Sequence, residues 1–346
     1  MQPHAVLAEL LAGRTLSEQQ SESVFEAILT GQLDEPQIAG LLALIQSRGA
    51  TVQELVGAAR VMRRHVTPVR CDDPAAVVID TCGTGGAPKT FNISTAVAIV
   101  VAAASPHRTG PGPRVVVAKH GNRSRSGRGS AEVLAKLGVC VDAPPDVQSR
   151  CLGEAGVCFC FAIHHHPAAK FASGARKSLG FPTIFNLLGP LTNPAGASRQ
   201  LIGIYDRTLV AKLAHALSRL GSARAMVVHG SDGMDELTTT GPSLIGHVEG
   251  LAVRLDELDP RTFGISISRA EDLMAPDLEA AAAMLRGTLG GATGPARDIV
   301  LLNAGAALMV AGAVNDIAAG TQAAAVAIDS GLAARTLDDL IRVSNA

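Results

Sequence analysis

Three short stretches of this 346-residue chain carry groups suited to holding a polyphosphate. The first is Asp80-Thr81-Cys82-Gly83-Thr84-Gly85-Gly86-Ala87-Pro88-Lys89-Thr90-Phe91-Asn92-Ile93-Ser94-Thr95, in which three glycines crowd into one turn. A turn without side chains lets backbone N–H groups face a ligand, and a helix beginning just beyond it offers orphan donors and the positive end of its dipole to an anion. The second is Lys119-His120-Gly121-Asn122-Arg123 and its continuation through Ser126 and Arg128 to Ser130. Guanidinium forks, hydroxyls and glycines there match phosphate oxygens. The third is His229-Gly230-Ser231-Asp232-Gly233-Met234-Asp235-Glu236, whose adjacent carboxylates could share a Mg²⁺ with a substrate phosphate. Taken singly, the glycines could form only a tight turn, the basic run a solvated loop, and the acidic pair an exposed loop end. Together they point to one polyphosphate site.

The elements that must position these groups read as strands alternating with helices. Val77–Ile79 and Val115–Val117 are short β-branched runs of the kind that form buried parallel strands. Ser94 reads as the N-cap of an apolar helix over 94–104, and a helix at 131–137 follows the basic loop. Gln200–Ile204 and Ala225–Val228 read as further strands around a helix at 207–220, which places Asp235 and Glu236 beyond the carboxyl end of a strand, where open α/β sheets bind ligands. After a less informative stretch with one more strand between Val253 and Gly290, helices are expected over Asn303–Gly312 and Ile317–Asp329.

Residues 1–66 are different. Ser17 with Gln20, Asp34 with Gln37, and Thr51 with Glu54 have capping-box spacing, and Gly31 and Gly49 fall where helices end. Apolar residues between them recur at helical spacing. The expected architecture is therefore α/β: a small all-helical N-terminal domain over 1–70, joined by the helical segment at about 167–190, and a larger domain over 71–346 with a mostly parallel central sheet. Cys71-Asp72-Asp73-Pro74 marks the junction.

Composition narrows the partners. Lys and Arg number 30 against 31 acidic residues, with no Trp and a single Tyr, which argues against nucleic acid and anionic membranes as ligands. The longest apolar run, 96–104, is too short to span a bilayer, and the chain reads as soluble and cytoplasmic. Six Cys show no CxxC spacing, and Cys158 and Cys160 read as small core residues. His164-His165-His166 is read as extended, so that successive rings point to opposite sides and do not share an ion. His107 and Arg108 are placed in a solvated loop, and Arg176, on a helix over 168–179, can face a pocket.

The motifs GTGG, TFNIST, KHGNR, FPTIFNLLGPLTNPA, QLIG, RAMVVHGSDGMDE, GPARDIVLLNA and AIDSGLA, in this order, resemble anthranilate phosphoribosyltransferases. Pyrimidine nucleoside phosphorylases share the implied architecture and are the alternative enzyme; a non-catalytic ligand- or nucleic-acid-binding relative is the alternative outside enzymes. The resemblance implies a homodimer that uses Mg²⁺, with phosphoribosyl pyrophosphate and anthranilate as substrates. Phosphates and ribose would be held by Gly83, Gly85, Gly86, Thr90, Asn92, Ile93, Ser94, Thr95, Lys119, Asn122, Arg123, Ser126 and Ser130, with Lys119 and the loop to Ser130 closing over them. Ser94, Asp235 and Glu236 would be the metal ligands, and Gly83, Asn122 and Arg176 would line the anthranilate site. No residue is assigned as a catalytic acid or base. The chain departs from the family pattern in loops one residue shorter after GTGG and after KHGNR, and in Gly174-Ala175 before Arg176, a pair expected to loosen that helix.

Overall fold

A computed structural model describes residues 2–85, 90–106, 112–124 and 127–346. Gly86, Ser126, His107 and Arg108, all singled out above, lie outside the described residues. Four helices open the chain: α1 (Pro3–Leu11), α2 (Glu18–Leu29), α3 (Glu35–Arg48) and α4 (Val52–Arg64). All three capping boxes form, at Ser17, Asp34 and Thr51, so local sequence alone starts α2, α3 and α4.

The chain then builds one sheet from β1 (Val77–Gly83), β2 (Val115–Gly121), β3 (Val157–Phe161), β4 (Arg199–Gly203), β5 (Arg224–Gly230), β6 (Ser243–Glu249) and β7 (Ala252–Leu258). Its strand order is β3-β2-β1-β4-β5-β6-β7. The first five strands in that order are parallel, and β6 and β7 add an antiparallel edge. Strand β6 went unread in the sequence, since Ser243–Glu249 is punctuated by Gly246 and His247 and lacks an apolar run. The helix Leu332–Ser344 and most of Leu278–Leu289 were also unread, and Asn303–Gly312 is the second half of a longer helix, Pro295–Ala311.

Two cores divide the molecule. One fills the face of the sheet covered by α5 (Ile93–Ala103), Pro295–Ala311 and Ile317–Asp329. The other joins α2–α4 to Ala172–Leu191 and to the opposite faces of β4 and β5, through Ile202, Ala225 and Val227. Small side chains let Pro295–Ala311 and Ile317–Asp329 approach closely: a Cβ on Gly305 would sit 2.7 Å from the Ile317 carbonyl oxygen. Cys158 and Cys160 are buried in β3, as small apolar residues would be.

The histidine run is helical, not extended: Ala162–His165 forms one turn and Pro167 opens a 3₁₀ turn to Ala172, before the helix Ser173–Leu179. The expected helix over 168–179 is thus split into a 3₁₀ turn and a shorter α-helix. The three rings go to separate partners. His164 meets Asp142 at 2.9 Å, His165 lies between the Thr67 carbonyl and Gln148, and His166 faces His120 at 3.3 Å. Gly174 lies within the helix Ser173–Leu179, which packs against α3; a Cβ there would sit 2.7 Å from the Glu35 carboxyl carbon, the end of a side chain that can turn aside.

Candidate active site

The strand order reverses between β1 and β4, and ligand crevices of open α/β sheets form at such a switch point, beyond the carboxyl ends of the strands. Gly83 ends β1 and pairs with Gly203, which ends β4. Above both lies Asp235. A Cβ on Gly83 would stand 3.1 Å from the Asp235 carboxyl carbon, and one on Gly203 would stand 3.1 Å from its Cα with the Asp235 carbonyl closer still. Two strand ends without side chains therefore seat the acidic loop that follows β5. Gly203 was not singled out by sequence reasoning, although it closes the QLIG motif; nothing in one sequence says which glycine a distant loop will touch.

Asp235 Oδ2 accepts the Gly85 N–H at 3.2 Å, and Gly85 holds the left-handed φ of 68° that this turn needs. Glu236 Oε1 accepts the Ser94 N–H at 3.1 Å. This corrects the expected cap of α5. Its N-cap is Asn92, at φ 66°, and Ser94 lies inside the first turn. Asn tolerates the left-handed region, and a carboxylate from a segment 142 residues away takes a donor that a local cap would have satisfied.

Lys119 is also not on a closing loop. It lies within β2, 2% exposed, with Nζ donating to the Thr81 carbonyl at 2.8 Å and to Ser94 Oγ at 3.1 Å. It is a buried post beneath the helix start. Burial lowers its pKa, against the opposing pull of Asp80 and Glu236. Asp80, the first residue of the glycine stretch, is wholly buried; its Oδ1 accepts the His120 N–H at 3.0 Å and so joins β1 to β2 beyond the Ile79–Val117 pair.

Asp235 and Glu236 are not exposed loop ends. Both are half-buried, and burial raises the pKa of each. For Glu236, desolvation and then the neighbouring Asp235 push it up to about 8. Two desolvated carboxylates side by side repel, and a divalent cation relieves that repulsion. With the Ser94 hydroxyl close by, the oxygen donors present fit Mg²⁺.

The basic loop meets the same crevice from the other side. Asn92 Nδ2 donates to the Arg128 carbonyl at 3.2 Å, Thr90 bridges to Met274, and the Arg128 guanidinium donates to the Ala275 carbonyl. The stretch around 268–275, unreadable in the sequence, thus borders the phosphate loops. Ile93 is buried in the core, and Thr95 Oγ1 is buried without a partner among the described residues. Asn122 Oδ1 accepts the Arg123 N–H at 2.8 Å, the Arg123 guanidinium lies 5.4 Å over Phe161, and Ser130 begins its helix. The Arg176 guanidinium lies 5.0 Å over the ring of Phe185. The link between the two sides is His120, whose Nδ1 lies 3.0 Å from the Gly189 carbonyl just beyond Phe185–Leu188.

A helical bundle joined to an α/β unit, with glycine turns and a carboxylate pair at the switch point, defines a glycosyl-transfer class of protein. Accordingly, the glycosyl transferase family's helical bundle domain matches residues 4–66 and its a/b domain matches residues 75–334. The anthranilate phosphoribosyltransferase of Rhodospirillum rubrum is 47% identical over 99% of this chain and 95% of its own. The crystal structure of anthranilate phosphoribosyltransferase from Thermus thermophilus superposes with a TM-score of 0.89 at 36% identity, covering 98% of this chain and 99% of that one. The same enzyme from Saccharomyces cerevisiae, solved in complex with PRPP and Mg, shares the fold at 23% identity, with a TM-score of 0.86 over 99% of this chain and 98% of that one. The chain belongs to the anthranilate phosphoribosyltransferase family.

Proposed function

We propose that the crevice between β1 and β4 binds phosphoribosyl pyrophosphate and that the enzyme transfers its phosphoribosyl group to the amine of anthranilate, releasing pyrophosphate. The observation that carries this reading is the seating of Asp235 on Gly83 and Gly203 with Glu236 on the start of α5, because it gathers the glycine turn, the helix N-terminus and two carboxylates in one place. Asp235, Glu236 and the Ser94 hydroxyl would hold Mg²⁺. Bound there, the ion would neutralise charge developing on the departing pyrophosphate.

The chain's own groups do the rest by positioning. Gly83 and Gly85 would give the phosphates close approach to backbone N–H groups, with Thr90 and Asn92 beside the sugar, the buried Ile93 and Thr95 behind them in the first turn of α5, and Asn122, Arg123 and Ser130 supplied by the second stretch; Gly86 and Ser126, assigned the same roles, lie outside the described residues. Lys119, from beneath the helix start, donates to the Ser94 hydroxyl and fixes it. Arg176, with its guanidinium plane set against Phe185, would take the anthranilate carboxylate in two parallel hydrogen bonds, with Gly83 and Asn122 completing that site. An aromatic amine is neutral near pH 7 and needs no strong base, so orientation can supply up to about 7–11 kcal/mol of the barrier lowering.

Mixing enzyme, phosphoribosyl pyrophosphate and Mg²⁺ with anthranilate should quench the fluorescence of anthranilate. Unchanged fluorescence with folded protein refutes the transfer, and phosphate-dependent release of base from thymidine would identify a nucleoside phosphorylase instead.

The same reading includes a helical unit over 1–70 completed by 167–190, supported by the core they share. It includes a homodimer formed through the helical side, where Leu11, Phe171 and Phe181 are exposed. Light scattering after size exclusion tests that. A cytoplasmic location belongs to the same reading; among the described residues no single helix is long and apolar enough to cross a membrane.

A further inference from the structure

At the opposite rim of the sheet, where the strands begin, the end of α4 and the loops entering β4 and β5 line an open cavity of about 240 Å³. Arg63 forms part of its wall. Arg63 Nε donates to the Leu191 carbonyl at 2.7 Å and Nη1 donates to the Leu220 carbonyl at 3.2 Å, which ties the helical bundle to the two loops. Those carbonyls leave the charge uncompensated. Among the described residues no carboxylate forms an ion pair with Arg63, and burial alone lowers its pKa.

The remaining wall supplies donors and no opposing charge. The backbone N–H of Ala197, a residue only 5% exposed, has no acceptor among the described residues; those of the half-buried Val66 and the exposed Ser198 have none there either and are open to a ligand or to solvent. Buried N–H groups are nearly always paired, so an orphan beside a cavity calls for a partner that the protein does not itself provide. The hydroxyls of Ser198 and Ser222 make no hydrogen bond within the described residues either. Asn193, the other polar side chain here, is engaged with the Ala118 carbonyl and the Ala195 N–H. A wall made of one uncompensated guanidinium and several free donors is complementary to a ligand that is anionic and rich in acceptor oxygens.

We infer that this cavity is a second, non-catalytic binding site for a phosphate group, with Arg63 as its counter-charge and the free N–H and hydroxyl groups around it as donors. A phosphate there would bridge α4 to the starts of β4 and β5. The far ends of those strands carry Gly203 and the loop of Asp235 and Glu236, so occupancy stiffens the frame on which the crevice is built.

The test titrates inorganic phosphate into the full chain without Mg²⁺ and follows the melting temperature, with sodium chloride at matched ionic strength as the control. Binding to the folded state alone raises the apparent stability, so the unaltered protein should show a saturating rise that chloride does not give. In Arg63→Gln the dissociation constant for phosphate should weaken by roughly ten- to a hundred-fold, the factor expected for loss of a hydrogen bond to a charged group. Phosphoribosyl transfer should persist. Ser198→Asp keeps the Arg63 clamp and brings a carboxylate to the cavity: it should melt higher without phosphate and lose the phosphate response. No phosphate response in the unaltered protein overturns the inference. So does an undiminished response in either variant, since it would assign the bound phosphate to the crevice.

Discussion

Replacing Gly203 by Ala is the sharpest probe of the site's construction. The added methyl would lie 3.1 Å from the Asp235 Cα and nearer still to the Asp235 carbonyl, whereas unbonded carbon atoms settle at about 3.5–4.0 Å. The obstacle is backbone on both sides, so the loop carrying Asp235 and Glu236 must retreat by more than about 1 Å. A displacement of about 1 Å in a catalytic arrangement costs around a hundredfold in rate. Anthranilate fluorescence at saturating phosphoribosyl pyrophosphate, followed over a Mg²⁺ titration, should show kcat/KM down about a hundredfold, with the Mg²⁺ midpoint moved upward. Gly153→Ala is the control, because a Cβ there meets nothing within 4 Å in the helix Pro145–Glu154. Gly83→Ala should fall between the two, since its methyl meets the end of the Asp235 side chain, 3.1 Å from the carboxyl carbon, and a side chain can turn aside. If Gly203→Ala melts as a folded protein and keeps kcat/KM within about threefold of the parent, the seating of Asp235 on the strand ends is not what forms the site.

Three further outcomes are expected. Asp235→Asn with Glu236→Gln should abolish Mg²⁺-dependent transfer while the melting temperature at pH 7.5 stays level or rises, because burial and mutual repulsion already disfavour the charged pair; a lower melting temperature would show that the charges hold the loop. Arg176→Lys, lacking the two-pronged guanidinium, should raise the KM for anthranilate by roughly tenfold or more and leave that for phosphoribosyl pyrophosphate unchanged; equal changes in both would remove Arg176 from acceptor binding. His120 is pushed down to about 3 and His166 to about 4, chiefly by burial. The unfolded chain then binds more protons than the folded one below a pH of about 6.5, so stability falls as the pH drops, by about 2 kcal/mol for each ring at pH 5. His166→Asn should remove about half of that loss in melts compared at pH 7.5 and pH 5, and an identical loss in the variant would contradict the assignment.

Much of this protein was legible from its residues because the signals were local. Capping boxes at Ser17, Asp34 and Thr51 act over three residues, and β-branched runs such as Val115–Val117 declare a buried strand wherever they fold. The glycine turn, the Lys119–Ser130 loop and the Asp235-Glu236 pair could likewise be named from residue type, as could the family. What each group touches could not. Ser94 looked like a cap until Glu236, 142 residues away, proved to take its N–H, and Lys119 looked like part of a lid although it supports the helix start from below. Cavity, crevice and buried charge exist only once the sheet sets β4 beside β1, because a hydrogen bond or a steric contact between distant segments leaves no periodic trace in either. Residue types therefore determined which chemistry was available, and the tertiary fold alone decided where the carboxylates, the lysine and the unpaired donors would meet.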